Sequence, residues 1–380
     1  MKHSLNLNGR IMRNFFFALI FGFVSQLVSG QNVTSEKSGI KYYDHDFFLI
    51  EGTTLTDSEK ENLYDRLPSS YKGKVRDAVW SLSKSSAGIS VRFLSNSTTI
   101  RVKWELLNDA KMNHMAETGI KGIDLYFRNN GKWQYLNTAR PAGKVNDYLL
   151  ISNMDPVMRE YRLYLPLYDG VTELEIGIDS LSSILKPERT NNKPIVFYGT
   201  SITQGGCASR PGMVHTSIIS RKLDVECINF GFSGNGRMEK PLAELISGID
   251  ALFYVLDGTN NMTPEQIHEN AIPLVEIIRE KHPGTQIVFV EGLLNDKSYL
   301  DQKTRDAENA KNIALKREYD EMKNREFRNI YYIEQSGGKG TDFESTVDGV
   351  HLTDLGFSRY ADFLLKEFRR IKVIDRKMGR

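Results

Sequence analysis

The chain has 380 residues, 40% hydrophobic and 26% charged, with a formal net charge of +2, a composition of ordinary globules rather than disordered or fibrous chains. Near-neutrality gives no electrostatic reason to expect nucleic acid or anionic lipid as a partner, and the length favours two domains. In chain order, the first feature is a leader at residues 1–30. Lys2, Arg10 and Arg13 precede an apolar run at 15–24, and Ser29-Gly30 stand before Gln31, the pattern of an export signal. A membrane span would need about 20 apolar residues. No cysteine follows the expected cut to carry a lipid, and no later run is apolar enough to span a bilayer, so an exported, periplasmic or extracellular protein is expected. Cys207 and Cys227 match no metal motif, and a bridge and two free thiols both stay open.

Residues 90–106 alternate apolar and polar side chains around an Asn-Ser-Thr turn, predicting two half-buried strands joined as a hairpin. Further strands are expected at 122–127, 159–167 and 174–178, with little helical periodicity between them, so residues 31–190 read as an antiparallel β-sandwich. After a polar connector at 186–193 the character changes. Continuous apolar strands at 194–198, 227–230, 251–256, 286–290 and 329–333 alternate with helical stretches at 264–282, 302–325 and 354–371. Unbroken apolar strands belong to a parallel sheet covered on both faces, so residues 191–380 read as a doubly wound α/β layer with its sites at the carboxyl ends of strands.

Four loops at those ends carry candidate chemistry. Ser201 follows the first apolar strand within Gly199-Thr-Ser-Ile-Thr203, where a serine commonly serves only as a turn or helix cap. The Gly-X-Ser-X-Gly elbow of the α/β-hydrolases is absent. Asn229-Phe-Gly231-Phe-Ser-Gly234-Asn-Gly236 could bring a backbone N–H close to a ligand, and its glycine order does not fit the dinucleotide fingerprint. Asp257-Gly-Thr-Asn260-Asn261 offers an amide, though glycines and asparagines also make plain turns. Asp348-Gly-Val-His351 places a carboxylate three residues before an imidazole, the pairing that a hydroxyl nucleophile needs. No His/Cys/Asp group has metal-ligand spacing, so neither metal nor organic cofactor is expected.

The order Ser, Gly, Asn, then Asp-X-X-His resembles the SGNH or GDSL-type hydrolases. By position, the resemblance implies Ser201 as nucleophile, Gly234 and Asn260 as oxyanion donors, His351 as base and Asp348 as its orienter. Thr200 stands where many members have Asp, and Asn261 competes with Asn260. Gly122-Ile-Asp-Leu-Tyr126 matches the Gly-X-Asp-Leu-Tyr signature of the β-domain preceding such hydrolase domains in secreted bacterial proteins. The resemblance implies a flavodoxin-like, five-stranded parallel sheet behind a jelly-roll-like sandwich. It also implies a serine esterase removing small acyl groups, such as acetyl, from carbohydrate. The alternatives are a lipid or lysophospholipid acylhydrolase and a non-catalytic carbohydrate-binding protein on the same scaffold. Trp104, His114, Tyr126 and Trp133 could line a substrate cleft, although aromatics on strands are more often core.

Overall fold

The computed structural model describes residues 39–375 and 378, and these fall in one compact body. The leader expected at residues 1–30 lies outside the described residues. The N-terminal layer holds β1 (Ile40–Tyr43), β2 (Leu49–Glu51), helix α1 (Asp77–Ser83), β3 (Ser90–Ser95), β4 (Ile100–Leu106), helix α2 (Glu117–Ile120), β5 (Ile123–Asn129), β6 (Lys132–Ala139), β7 (Val145–Ile151), β8 (Arg159–Tyr164), β9 (Val171–Asp179) and β10 (Ile184–Leu185). One antiparallel sheet runs β1-β9-β4-β7; the other runs β10-β3-β8-β5-β6, with β2 beside β3. Strand β4 shows why these residues pair face to face. Ile100, Val102, Trp104 and Leu106 are buried while the residues between them are half-buried, so one face enters the core with Phe93, Leu125 and Leu163.

The hairpin expected over residues 90–106 does not form. Strands β3 and β4 belong to different sheets, β3 pairing with β8 and β4 with β7 and β9. Their connection crosses the sandwich, and Asp179 satisfies its polar groups there, accepting from Ser97 Oγ at 2.9 Å, Thr98 N at 2.9 Å and Thr98 Oγ1 at 2.7 Å. Period-two alternation fixes which face of a strand is apolar, not which neighbour it bonds.

The second layer contains β11 (Ile195–Gly199), α3 (Ser201–Gln204), α4 (His215–Leu223), β12 (Cys227–Gly231), α5 (Lys240–Ile246), β13 (Phe253–Asp257), α6 (Pro264–Lys281), β14 (Gln286–Val290), α7 (Gln302–Asn324), β15 (Ile330–Ile333) and α8 (Asp354–Arg370). Its five strands are all parallel, in the order β12-β11-β13-β14-β15. Every residue of β11 is buried: Val196 and Tyr198 enter one core with α5, α6 and α7, Ile195 and Phe197 the other with α4 and α8. Leu67, Val75 and Val79, from the N-terminal layer, pack into the first of these cores. Because β12 and β13 flank β11, the strand order reverses there, and doubly wound sheets open a crevice at such a point. Register aligns the exits: Gly199 pairs with Gly231 and with Asp257, so the loops after β11, β12 and β13 leave the sheet side by side. Among the described residues no helix is long and apolar enough to cross a membrane.

Candidate active site

The Asp-X-X-His segment is a narrow loop because its ends are tied. The Val347 N–H donates to His351 O at 2.8 Å, and Thr346 bridges to Leu352. Gly349, at φ +85°, supplies the left-handed turn between them. Asp348 Oδ1 then accepts from Val350 N at 3.0 Å and His351 N at 2.8 Å, which leaves Oδ2 for His351 Nδ1 at 2.8 Å. Burial alone would raise this carboxyl, but the ring and the two backbone N–H groups outweigh it and hold it at about 2. An ionised carboxylate on Nδ1 keeps the proton there and leaves Nε2 as an acceptor.

Ser201 opens α3 immediately beyond β11. The Thr200 side chain caps this turn by accepting from Ile202 N at 3.3 Å. Ser201 is only 8% exposed, and its hydroxyl lies 2.8 Å from His351 Nε2. The structure thus joins Ser201, His351 and Asp348 in one hydrogen-bonded chain.

Gly234 and Asn260 sit on the two adjacent exits. Gly234 adopts φ +67° with open space on its Cβ side. Asn260 donates from Nδ2 to Leu293 O at 2.9 Å, so its amide is oriented and one of its two N–H groups is already used. Asn261 instead accepts at Oδ1 from Gly236 N at 3.2 Å.

Of the four residues considered for the cleft, His114 alone reaches the relay, its ring centroid 5.7 Å from that of His351. Trp104 is sandwich core, donating from Nε1 to Lys121 O at 3.1 Å, and Trp133 lies with Arg162 and Asp224. Tyr126 and Asp124, from the Gly-X-Asp-Leu-Tyr stretch, hold the loop that follows Ser201 and α3. Asp124 is fully buried and accepts from Arg210 Nη1 at 2.7 Å, Gly212 N at 2.8 Å and Thr138 Oγ1 at 2.6 Å; Tyr126 Oη accepts from Arg210 at 2.7 Å. Cys207 and Cys227 are both buried and free. Burial, with the Asp348 charge, pushes the Cys207 thiol up to about 12. The fold nevertheless assembles what no sequence spacing shows: donor atoms of His114, Cys207, Asp348 and His351 all lie within 4.8 Å of one another.

Family models match both layers. The GDSL-like Lipase/Acylhydrolase family matches residues 192–369, and the N-terminus of Esterase_SGNH_hydro-type proteins matches residues 40–184. A crystal structure from Bacteroides ovatus ATCC 8483, of a protein described as a GDSL-like lipase, is 34% identical with a TM-score of 0.85, over 89% of this chain and 99% of that one. The fold is also shared with the salicylyl-acyltransferase SsfX3 of a tetracycline biosynthetic pathway (14% identity, TM-score 0.70, 88% of this chain and 98% of that one). It recurs in an acetyl xylan esterase, Est2A, from the rumen bacterium Butyrivibrio proteoclasticus (12% identity, TM-score 0.55, 88% and 100%). No curated protein matches the sequence. With both layers matched, and more than a third of residues shared with one relative along nearly its whole length, the chain belongs to the GDSL-like lipase/acylhydrolase family of ester-hydrolysing enzymes, with a Gly-X-Asp-Leu-Tyr N-terminal layer.

Proposed function

We propose that this is an exported serine esterase that removes small acyl groups, acetate above all, from carbohydrate. The observation that carries the reading is the unbroken relay of 2.8 Å from Ser201 Oγ to His351 and 2.8 Å from His351 to Asp348. Ser201 Oγ attacks the ester carbonyl while His351 Nε2 takes its proton; the same imidazole, steadied by Asp348, then protonates the departing sugar oxygen. The Gly234 N–H and the remaining Asn260 amide N–H are the oxyanion donors in this reading, each worth about 3 kcal/mol. Water, activated by His351, attacks the acyl-enzyme carbonyl and releases the acid and Ser201. The carbohydrate substrate is supported by the shared architecture with an acetyl xylan esterase and with family two carbohydrate esterases, and export by the composition of residues 1–30.

A nitrophenyl ester series from acetyl to long acyl chains, together with acetate release from acetylated xylan, tests this reading. Acetyl should be preferred, and Ser201→Ala should lose about 10⁴- to 10⁶-fold in kcat. A preference for long chains makes the protein a lipid acylhydrolase. Turnover undiminished in Ser201→Ala removes the serine mechanism.

A further inference from the structure

We propose that the catalytic relay shares its space with a binding site for one soft divalent cation of the Zn²⁺ class, formed by His114, Cys207, Asp348 and His351, and that cation binding and ester hydrolysis exclude one another. The inference rests on the serine mechanism above only for its consequence, not for the site itself. Three separate segments deliver the four donors: the loop between β4 and α2, the turn after α3, and the Asp-X-X-His loop. Tetrahedral zinc, with bonds of about 2.0–2.3 Å, sets its ligand atoms about 3.3–3.8 Å apart. Donors already within 4.8 Å of one another therefore need side-chain shifts of about 1 Å, not refolding.

The chemistry of the set is selective. Two imidazoles, a thiol and one carboxylate suit zinc, whereas Mg²⁺ and Ca²⁺ require mostly oxygen. The donors are also held in place. Buried Asp169 accepts from Asn108 N at 3.0 Å and Ala110 N at 2.7 Å, and buried Lys121 reaches Asp109 at 2.5 Å, so the loop bearing His114 is anchored on both sides of Asp109. Cys207 lies beside the relay with φ +70°, a backbone conformation that few non-glycine residues adopt.

Both nitrogens of His351 are committed in the relay, Nδ1–H to Asp348 and the Nε2 lone pair to Ser201. A cation on Nε2 displaces the serine hydroxyl. On Nδ1 it moves the ring proton to Nε2, which then has no lone pair for the serine proton. Either way the base is lost, and the Cys207 thiol releases one proton to solvent as it ligates.

The test uses the full chain freed of metal by chelation, titrated with Zn²⁺ and, separately, Mg²⁺ by calorimetry. Zn²⁺ should bind one to one and Mg²⁺ should not. Co²⁺ should give a thiolate-to-metal charge-transfer band, absent in Cys207→Ser. His114→Ala and Cys207→Ser should each weaken Zn²⁺ binding at least tenfold, whereas Ser201→Ala should bind it undiminished. Hydrolysis of the acetyl ester should fall with the binding midpoint and return with chelator. No Zn²⁺ binding at millimolar concentration, or binding unchanged in both ligand variants, overturns the proposal. Calorimetry and the cobalt spectrum do not depend on turnover, so failure of the esterase reading is seen separately.

Discussion

Asp124 offers a sharp test of how the N-terminal layer supports the loop after Ser201. Its side chain is fully buried, and Arg210, its cationic partner, is one-fifth exposed. Burial raises the Asp124 carboxyl even though Arg210 pulls it down, whereas at the less buried Arg210 the attraction of Asp124 and Tyr126 outweighs burial and raises the guanidinium; the two opposing effects largely offset, so the pair as a whole is a weak stabiliser. Removing one partner is different. Asp124→Ala leaves the Arg210 guanidinium and the Gly212 N–H without their acceptor, which for a buried pair costs about 3–5 kcal/mol, here toward the lower figure because water reaches Arg210. Asp124→Asn keeps an oxygen toward Arg210 and Gly212 and turns an N–H₂ toward Thr138. The bond from Arg210 keeps its cationic donor, while those with Gly212 and Thr138 become neutral, each weaker by about 1 kcal/mol, for a total of about 2 kcal/mol. Urea unfolding of wild type, both single variants, Arg210→Met and Asp124→Ala/Arg210→Met measures these terms. The double variant should lose less than the sum of its singles by more than about 1.5 kcal/mol, because each single strands what the other removes. A loss below about 1 kcal/mol in Asp124→Ala, or additivity within about 0.5 kcal/mol, would refute the reasoning.

Two further outcomes are expected. Burial raises the Asp257 carboxyl to about 7, against a hydrogen bond from Tyr360 that pulls the other way, so the folded chain holds this proton more tightly than the unfolded one. The stability it contributes is complete below the unfolded value near pH 4 and is lost as pH rises toward 7, a decline that should flatten in Asp257→Asn when unfolding midpoints are compared across that window. Gly206 lies against His351: a Cβ there would stand 3.0 Å from His351 Cδ2 and 2.9 Å from Tyr168 Oη. Gly206→Ala should displace the ring and cut kcat about 10- to 100-fold while KM for a small ester changes little; unchanged kcat would mean that the ring has slack.

What the sequence disclosed followed from short-range patterns. Every residue of β11, β12 and β13 is buried, so unbroken apolar runs marked them, and α6 and α8 start behind threonine caps one residue before Pro264 and Asp354. The Asp348-His351 pair was visible because one turn holds both. Contacts between distant segments were not. The strands β3 and β4 alternate as a hairpin would, yet they pair in opposite sheets, with Asp179 binding the crossing between them. Helix α4 is short, and four of its seven buried residues, His215, Thr216, Ser217 and Ser220, are polar types that a sequence reading assigns to the surface. The approach of His114 and Cys207 to the relay joins segments whose separation carries no spacing signal.

Buried charge also links the two layers, beside the apolar packing of Leu67, Val75 and Val79. Arg66, in the N-terminal layer, is buried beneath the loop that carries Gly234 and donates to four backbone carbonyls: Ser85 at 2.8 Å, Leu82 at 2.6 Å, Asn229 at 3.2 Å and Gly231 at 2.6 Å. The last two close the end of β12, so this guanidinium sets where the chain turns toward Gly234. Asp124 does the same for the turn after α3, and Asp169 for the loop that brings in His114. Each of these charges is expensive to bury and takes at least one backbone group of a connecting segment among its partners, so its cost is offset only while that segment holds one conformation. Catalytic geometry tolerates errors of well under 1 Å, which loops cannot guarantee by themselves. The sandwich therefore works as a rigid mould: its buried Arg66, Asp124 and Asp169 grip backbone around Ser201 and His351 without touching the reacting atoms.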